Sequence, residues 1–329
     1  MTAPPLDVSV VAAFVEDATA APSQHNAQPW RFRFLGDSGV LQLYVDPERT
    51  LPKTDPDGRG MHLGCGAALF NLRVAAVAAG REPATRLLPD SSVPQLLAEV
   101  DLTGDASPGD DLALLHPAIR RRHTSRHPFR EDDIPDALKD GLCAAARLED
   151  ARLVFPDAWH VQSVLDLVRD AEGREARYPE VRGETAHWAR TEPADKTPAS
   201  DGIPAEALGP RQWGADSPVR DFAVGREVPG RGWAPFEKRP QIALLGTAQD
   251  RRLDWLRAGQ ALERVWLQAT LDGLVASLTS QPLEWPELRW VVRDPTTAMG
   301  HVQMVIRLGY GPEGAPAPRR PVADVLDIV

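Results

Sequence analysis

A polar loop at residues 21–30 carries the residue types best suited to bind a flat heteroaromatic ligand. It reads Ala-Pro-Ser-Gln-His-Asn-Ala-Gln-Pro-Trp, which sets a hydroxyl, amides and an imidazole between two prolines. Proline fixes φ and removes a backbone donor, so the loop should be stiff. Ser23, Asn26 and Gln28 can present donors and acceptors to the edge of a ring, with the imidazole of His25 among them. The alternative is a capped turn in which Ser23 or Asn26 satisfies backbone groups.

A basic segment at residues 120–127 is the second candidate site. Its sequence, Arg-Arg-Arg-His-Thr-Ser-Arg-His, concentrates four arginines in a protein whose formal net charge is −10. The guanidinium fork and the threonine hydroxyl both suit a phosphate group. In an extended segment, Arg122, Thr124 and Arg126 point to the same face, which favours a binding role. The alternative is a solvated charged surface.

Two further segments could contribute to a ligand site. Arg319 and Arg320 lie in a Pro-rich tail, and they can share a phosphate with residues 120–127 only if the fold brings the two together. The polar segment Thr279-Ser280-Gln281 follows a predicted helix end and can offer backbone N–H groups to a ligand. An ordinary basic tail and an ordinary turn are the alternatives.

Several other chemistries lack their sequence signatures. There is no phosphate-binding glycine loop, no HExxH spacing and no GxSxG elbow, and the histidines are scattered, so no metal site is predicted. Cys65 lies in an apolar helical pattern and is interpreted as a core residue. The negative charge argues against nucleic-acid binding. The two cysteines form no disulfide framework and no metal-ligand pattern, so we expect a protein of the reducing cytoplasm. Without a basic leader or an uninterrupted apolar stretch of about 18 residues, we expect no membrane association.

Hydrophobic periodicity and turn residues predict the elements that must position these segments. The predicted helices cover residues 6–20, 62–79, 132–147, 159–176 and 256–271. The predicted strands cover residues 31–34, 41–45, 93–102, 151–155, 241–246 and 302–308, and residues 103–111 are predicted to be a linker. A long insert at about 178–238 is rich in Pro, Gly and charge and carries Trp188, Trp213 and Trp233. These spaced tryptophans favour a packed lid over a disordered loop.

The two longest core helices resemble each other in sequence. Placing Gly66 on Gly259 also matches Ala68 with Ala261, Leu69 with Leu262, Ala76 with Ala269 and Gly80 with Gly273. Each helix lies between a strand and a Gly-terminated turn. We therefore interpret the chain as a diverged tandem repeat, with a first half at 1–111 and a second half at 112–329.

Taken together, these segments resemble the flavin (FMN) nitroreductase family. Residues 21–30 match the family loop Ala-Pro-Ser-x-x-Asn-x-Gln-Pro-Trp throughout. Residues 122–126 look like the family's phosphate motif Arg-x-Ser-x-Arg/Lys, with Thr in place of Ser. Gly309-Tyr310 and Arg319-Arg320 are similar to the strand end and basic tail that complete the phosphate site. Residues 279–281 map onto the family turn beside the flavin N5.

The resemblance implies an α+β nitroreductase-like fold with two diverged halves, each a mainly antiparallel sheet flanked by helices. Family members are homodimers in which the polar loop and the phosphate arginines come from different subunits. Here the loop lies in the first half and the arginines in the second, so the chain resembles a fused pseudo-dimer with one intact FMN site and one degenerate site. This arrangement is similar to the Acg-like branch, whose members carry a lid over the flavin.

The function implied by the resemblance is an oxidoreductase with FMN as its cofactor. NADH or NADPH would give hydride to the flavin N5, and a small aromatic or quinone-like molecule would accept it, without an obligatory protein acid or base. The alternatives are a lidded protein that stores or sequesters FMN and a specialised dehydrogenase. A monomer or a homodimer fits the sequence. The predicted cofactor-binding residues are Ser23, His25, Asn26, Gln28, Arg122, Thr124, Arg126, Thr279, Ser280, Gln281, Arg319 and Arg320.

Overall fold

A five-stranded sheet, a four-stranded sheet and two long helices form the frame of the protein. The computed structural model describes residues 6–107, 109–191, 199–212 and 218–329. The helices are α1 (Val8–Thr19), α2 (Arg59–Ala78), α3 (Asp136–Arg147), α4 (Ala158–Arg177), α5 (Pro179–Trp188), α6 (Arg252–Leu271) and α7 (Pro286–Arg289). The strands are β1 (Trp30–Leu35), β2 (Val40–Val45), β3 (Arg81–Leu87), β4 (Leu96–Asp105), β5 (Arg152–Val154), β6 (Ala189–Arg190), β7 (Ile203–Pro204), β8 (Arg211–Gln212), β9 (Trp233–Ala234), β10 (Gln241–Thr247), β11 (Val275–Thr279), β12 (His301–Gly309) and β13 (Leu326–Ile328).

The first sheet has the strand order β13-β1-β2-β4-β3. Neighbouring strands are antiparallel except β1 and β13, which run parallel with Phe32 opposite Leu326. Alternation in β1 turns Trp30, Phe32 and Phe34 into the core and leaves the two arginines between them exposed, as expected for a sheet with one buried face. The C-terminal strand therefore completes a sheet that is otherwise built from residues 30–105.

The second sheet has the order β11-β12-β10-β5 and is antiparallel throughout. Its central strand β12 is buried along almost its whole length. A strand with neighbours on both sides and cover on both faces shows no alternation, and its residues form a nearly continuous apolar run. Gln303 and Arg307 interrupt this apolar run. Both are buried polar residues, and both make polar contacts inside the protein.

The helices α2 and α6 pack against each other, and each covers one sheet. Gly66 and Gly259 allow this close packing: a Cβ on Gly66 would lie 2.3 Å from the Leu256 carbonyl oxygen, and one on Gly259 would lie 2.1 Å from the Leu63 carbonyl oxygen. By length and composition α2 could span a membrane, which corrects the expectation that the apolar stretches are too short. However, 83% of its most apolar window is buried inside the protein, which is typical of a core helix.

All five predicted helices and six predicted strands are present, with ends that differ by a few residues. The predicted linker at 103–111 is wrong at its start, because β4 continues to Asp105. Three strands of the main sheets, β3, β11 and β13, were not predicted. β3 carries Pro83 and charged residues, which are tolerated because β3 lies at a sheet edge. β11 includes Thr279, so the predicted polar turn begins only at Ser280.

The described part of the insert at 178–238 has its own small core. Ala189, Ile203, Leu208, Phe222 and Val228 are buried together there. Trp188 packs in a separate cluster with Ala27 and Leu51, and Trp233 is exposed. Trp213, which contributed to the lid prediction, lies outside the described residues.

Candidate functional site

A cavity of about 1020 Å³, which includes space open to solvent, lies where the polar loop, the two long helices, the insert and the tail meet. The residues that line it are Pro22, Ser23, Gln24, His25, Asn26, Arg59, Gly60, Leu63, Gly64, Arg122, His123, Thr124, Arg126, Ile203, Ala207, Phe222, Leu262, Leu278, Ser280, Met304, Ala315, Ala317 and Arg319. Its wall therefore combines an apolar floor from α2, α6 and β12 with a set of cationic side chains.

Two glycines of α2 let the polar loop lie directly on this helix. A Cβ on Gly60 would lie 2.0 Å from Oε1 of Gln24, and one on Gly64 would lie 3.2 Å from Cβ of Ser23. Within the loop, the Gln28 N–H donates to Oγ of Ser23 at 2.9 Å. Ser23 thus satisfies a backbone group, as the capped-turn alternative predicted, and the small residues of α2 hold the loop at the cavity.

The loop backbone is strained at three positions. His25, Asn26 and Gln28 have φ values of 54°, 55° and 54°. Side chains other than glycine rarely adopt this left-handed region, and each such residue costs on the order of 1–3 kcal/mol. All three residues are buried and contact other parts of the chain, which keeps the loop in this conformation. Strain of this kind is common at ligand sites.

Asn26 connects the loop to the insert and the tail. Its Nδ2 donates to the carbonyl oxygens of Gly202 at 2.8 Å and Pro318 at 3.0 Å, and its Oδ1 accepts from Nη1 of Arg319 at 3.0 Å. The amide is therefore engaged by protein groups, and it ties the insert and the tail to the loop. The sequence pattern predicted a ligand contact for Asn26, which does line the cavity.

Three predicted arginines, Arg122, Arg126 and Arg319, line the cavity from distant points in the sequence. Arg122 is buried, lies 3.1 Å from a carboxylate oxygen of Glu263 and stacks 4.6 Å from the ring of Trp266. Arg126 and Arg319 have no carboxylate within 4.0 Å among the residues that the structure describes. The three guanidinium groups thus bring more positive charge to the cavity than their acidic neighbour neutralises.

The electrostatics of these arginines reflect their crowding. Burial, with Arg220 and Arg231 nearby, lowers the pKa of Arg126 to about 10. Burial and the charge of Arg122 lower the pKa of Arg319 to about 9, against the opposing effect of Glu263. Both groups are still charged at neutral pH. An anion placed among them would relieve the repulsion and stabilise the charged forms.

Thr124 and Ser280, also predicted, lie in the cavity wall. The segment around Thr124 is extended because it pairs in parallel with Ala276 of β11. This pairing explains why Arg122, Thr124 and Arg126 share the cavity, whereas Ser125 is buried and donates to the Pro312 carbonyl oxygen at 2.7 Å.

Four predicted site residues lie outside the cavity lining: Gln28, Thr279, Gln281 and Arg320. Gln28 donates through Nε2 to the Ser200 carbonyl oxygen at 2.8 Å and accepts the Arg320 N–H at 2.8 Å. Arg320 forms an ion pair with Asp46 at 3.0 Å. Thr279 donates to a backbone carbonyl, and the amide of Gln281 contacts Glu172. Apart from the buried Oε1 of Gln281, which has no hydrogen-bond partner among the described residues, these side chains are engaged in contacts within the protein.

Sequence reasoning missed Arg59, Phe222 and Arg220. Arg59 begins α2, lines the cavity and donates to the Gln303 carbonyl oxygen at 2.5 Å. The signal in the sequence was an arginine placed at the start of an apolar helical segment. Phe222 lines the cavity from the insert and lies between Arg126 and Arg220, at 5.0 and 5.2 Å from ring centroid to guanidinium carbon. Nothing local in the insert marks either residue.

His25 lies beside Arg220 and Phe222. Its ring meets Phe222 edge-on with 5.5 Å between centroids, and its Nε2 lies 3.2 Å from Nη1 of Arg220. Burial, followed by the charges of Arg220 and Arg126, holds the pKa of His25 well below its usual value of 6.5. The imidazole is therefore neutral at physiological pH. Among the described residues, no cluster of three or more His, Cys, Asp or Glu side chains could hold a metal ion.

Two relatives of this chain carry the name "Putative NAD(P)H nitroreductase". It is 31% identical over 326 residues to "Putative NAD(P)H nitroreductase Rv3131" of Mycobacterium tuberculosis strain H37Rv, a match that covers 98% of this chain and 92% of that protein. It is 28% identical over 350 residues to "Putative NAD(P)H nitroreductase acg" of the same strain, with 97% and 96% covered. No family model matches the chain.

Similarity to solved structures is weaker. The structure of the FMN-dependent nitroreductase NfnB from Mycobacterium smegmatis in complex with NADPH shares 15% identity and a TM-score of 0.40, covering 65% of this chain and 97% of that one. The family assignment therefore rests on the relatives, which match the chain along nearly its whole length. On that basis, this chain belongs to the NAD(P)H nitroreductase-like family, in the branch that includes Acg.

Proposed function

We propose that this cavity binds FMN and that the protein is an FMN-dependent oxidoreductase. The observation that carries the proposal is the convergence of Arg126 and Arg319 on one cavity, neither with a carboxylate partner among the described residues. Uncompensated guanidinium groups in a partly buried site favour a phosphate ligand. Arg122 completes the proposed phosphate group, whereas Arg320 is engaged by Asp46 and is proposed to support the loop.

The rest of the cavity fits the remainder of such a ligand. Leu63, Leu262 and Met304 offer an apolar surface, and the polar loop offers side-chain and backbone groups at its edge. When bound, FMN would supply hydride transfer between a reduced nicotinamide and a small aromatic or quinone-like acceptor. The protein would bind the phosphate, orient the ring and exclude water through the insert.

A nicotinamide as the reductant is proposed from the names of relatives, which read NAD(P)H nitroreductase. The solved structure of NfnB from Mycobacterium smegmatis was obtained with NADPH. We further propose the division into halves at 1–111 and 112–329 as a fused pseudo-dimer. The reciprocal packing of Gly66 and Gly259 supports this division. Each glycine lies against the carbonyl three residues before the other glycine, as two related halves would require.

FMN binding is tested by titrating the wild-type protein with FMN and following the quenching of flavin fluorescence. Arg126→Ala and Arg319→Ala should each weaken binding by about 10- to 100-fold, since charged hydrogen bonds contribute about 1.5–3 kcal/mol. Arg86→Ala is the control, because its side chain is 75% exposed on the first sheet. Wild-type protein that binds no FMN, or arginine variants that bind like Arg86→Ala, would refute the proposal.

A storage or sequestration role is the second candidate, and the insert favours it. Ile203, Ala207 and Phe222 line the cavity from the insert, so a bound ring would be covered unless the insert moves. Mixing flavin-loaded protein with NADH or NADPH under nitrogen separates the two functions. Rapid loss of the yellow colour supports an oxidoreductase, and a stable yellow colour supports storage.

A further inference from the structure

The imidazole of His25 has its protonation pattern set by one residue of the insert. Nη1 of Arg220 lies 3.2 Å from Nε2 of His25, and both side chains are buried, with 4% of each residue exposed. A guanidinium carries only donors. Nε2 must therefore accept this hydrogen bond, which leaves the single proton of the neutral ring on Nδ1.

The position of Arg220 does not depend on His25. Its Nη2 donates to Oε2 of Glu175 on α4 and to Oγ1 of Thr185 on α5, both at 3.0 Å. Its Nη1 also donates to Oε1 of Glu284 at 2.8 Å. Three separate parts of the chain thus fix the guanidinium, and two carboxylates offset the cost of burying its charge.

The proton on Nδ1 of His25 has no partner in the part of the chain that the structure describes. This nitrogen is shielded from solvent and makes no hydrogen bond with any described residue. His25 itself lines the cavity. An unpaired buried donor costs free energy, and such groups are rare in native proteins unless a ligand or water satisfies them.

The ring of His25 cannot easily reorient to give its Nδ1–H a partner. The backbone at His25 is held at a positive φ of 54°, and Phe222 packs edge-on against the ring. A 180° ring flip would place Cε1–H where Nε2 now accepts from Arg220, and a carbon there cannot accept that hydrogen bond. The geometry therefore keeps Nδ1–H available as the donor.

We propose that Arg220 holds His25 as the Nδ1–H tautomer, and that His25 donates this hydrogen bond to an acceptor atom of the ligand in the cavity. Arg220 is then a positioning residue, and His25 is the residue that touches the ligand. The acceptor is a carbonyl or other oxygen, or an unprotonated ring nitrogen, so the site selects against a ligand that offers only donors there. Because Arg220 belongs to the insert, the donor is specified only when the insert is docked. The ligand contact rests on the proposed function, whereas the tautomer does not.

The tautomer is tested directly by ¹⁵N NMR of the histidine rings in ligand-free wild-type protein. His25→Asn identifies the His25 signals by their loss. We expect Nδ1 to show the shift of a protonated ring nitrogen and Nε2 that of an unprotonated one at neutral pH. A protonated Nε2, or a doubly protonated ring, would overturn the proposal without bearing on FMN binding.

The ligand contact is tested by FMN dissociation constants, measured by fluorescence quenching. His25→Leu should weaken binding by about 3- to 10-fold, the range of one neutral hydrogen bond. His25→Asn should restore most of it, because its amide can donate from near the Nδ1 position and Asn tolerates positive φ. Equal FMN affinity in wild type and His25→Leu would overturn the contact.

Arg220 has its own test and a control from the same insert. Arg220→Met should abolish the single-tautomer NMR pattern of His25 and weaken FMN binding, whereas Arg182→Met, at an exposed arginine of α5, should change neither. If Arg220→Met does not fold, the NMR spectrum of the wild-type protein and the FMN affinities of His25→Leu and His25→Asn still decide the proposal. A folded Arg220→Met protein with an unchanged His25 spectrum would contradict the positioning role.

Discussion

Gly66 of α2 and Gly259 of α6 touch each other across the centre of the molecule, and each faces the backbone carbonyl three residues before the other. The Cβ that a substitution would add to Gly66 lies 3.1 Å from Cα of Gly259, and the reverse distance is 2.9 Å. A contact in which two positions exchange roles is the pattern of a two-fold axis. Such a relationship within one chain is what a fused pair of homologous halves would produce.

The first prediction concerns this crossing. Gly259→Ala places a methyl group 2.1 Å from the Leu63 carbonyl oxygen, so the helices must separate. Overpacking of this kind lowers the free energy of unfolding by about 1–3 kcal/mol. Urea denaturation measures the loss. Gly141→Ala in α3 is the control, since nothing lies within 4 Å of its added Cβ, and helix propensity there favours alanine by about 1 kcal/mol.

The second prediction concerns pH and His62 on α2. Its Nδ1 donates to the Gly58 carbonyl oxygen at 2.6 Å, and its Nε2 accepts from Nε of Arg252 at 3.0 Å. Burial, with the charge of Arg252, lowers the pKa of His62 from 6.5 to about 4. Between these values the unfolded chain binds more protons than the folded one, so stability falls as the pH drops from 6.5 towards 4.

The size of this pH effect is on the order of 3 kcal/mol, since one pKa unit corresponds to about 1.4 kcal/mol. Urea denaturation at about pH 7.5 and about pH 4.5 should show it. His62→Gln keeps an acceptor for Arg252 without a titrating group, so its stability should depend less on pH. His25 contributes in the same direction, and part of the dependence should therefore remain. An unchanged pH dependence in His62→Gln would contradict the assignment.

The third prediction concerns the ion pair between Arg307 of β12 and Glu237. Two hydrogen bonds, at 2.5 and 2.7 Å, join the side chains, and the guanidinium lies 3.5 Å from the centre of the Phe129 ring. Glu237 also accepts the Phe129 N–H at 2.9 Å. The ion pair therefore anchors the chain just after the basic segment at residues 120–127. Glu237→Gln should cost about 3–5 kcal/mol of stability, because it leaves a buried charge unpaired.

Glu237→Gln should also weaken FMN binding through displacement of Arg126, although neither member of the ion pair lines the cavity. The replacement of both members by apolar residues should restore stability more than it restores affinity. If the single variant keeps wild-type stability in urea, the anchoring role is wrong.

The fourth prediction concerns the contact that fastens the insert. Asp201 accepts from Arg190 at 2.5 Å and from Arg49 at 2.9 Å, and Arg49 also donates to the Ala27 carbonyl oxygen in the polar loop. Although burial acts in the opposite direction, hydrogen bonds from Arg190 and Arg49 hold the pKa of Asp201 below its usual value. The contact is therefore complete at neutral pH.

Asp201→Asn should loosen the insert without unfolding the protein. Trypsin should then cut the insert's arginines several-fold faster, and FMN should dissociate faster. Asp221→Asn is the control, because this half-exposed carboxylate pairs with Arg231 within the insert itself. Equal cleavage rates in the two variants would show that Asp201 does not fasten the insert.

Local sequence patterns predicted the main helices and six of the nine strands in the two main sheets, because burial periodicity is a local property. They also aligned Gly66 with Gly259, which the structure brings into contact. By contrast, β13 is three residues long and pairs with β1 from the other end of the sequence. Arg220 becomes significant only through Glu175, Glu284 and His25, which lie far from it in sequence. Contacts between residues so far apart in sequence cannot be predicted from a short stretch of neighbouring residues.

The pairing of β13 with β1 also affects how the protein folds during its synthesis. A ribosome adds roughly 5–20 residues per second, so β1 emerges tens of seconds before its parallel neighbour exists. During that interval one edge of the first sheet is open to wrong partners. During synthesis the nascent chain therefore has an unpaired edge at β1 until residues 326–328 have been made and can pair with it. Chaperone dependence and a yield that falls with C-terminal truncation are the expected consequences in a cell.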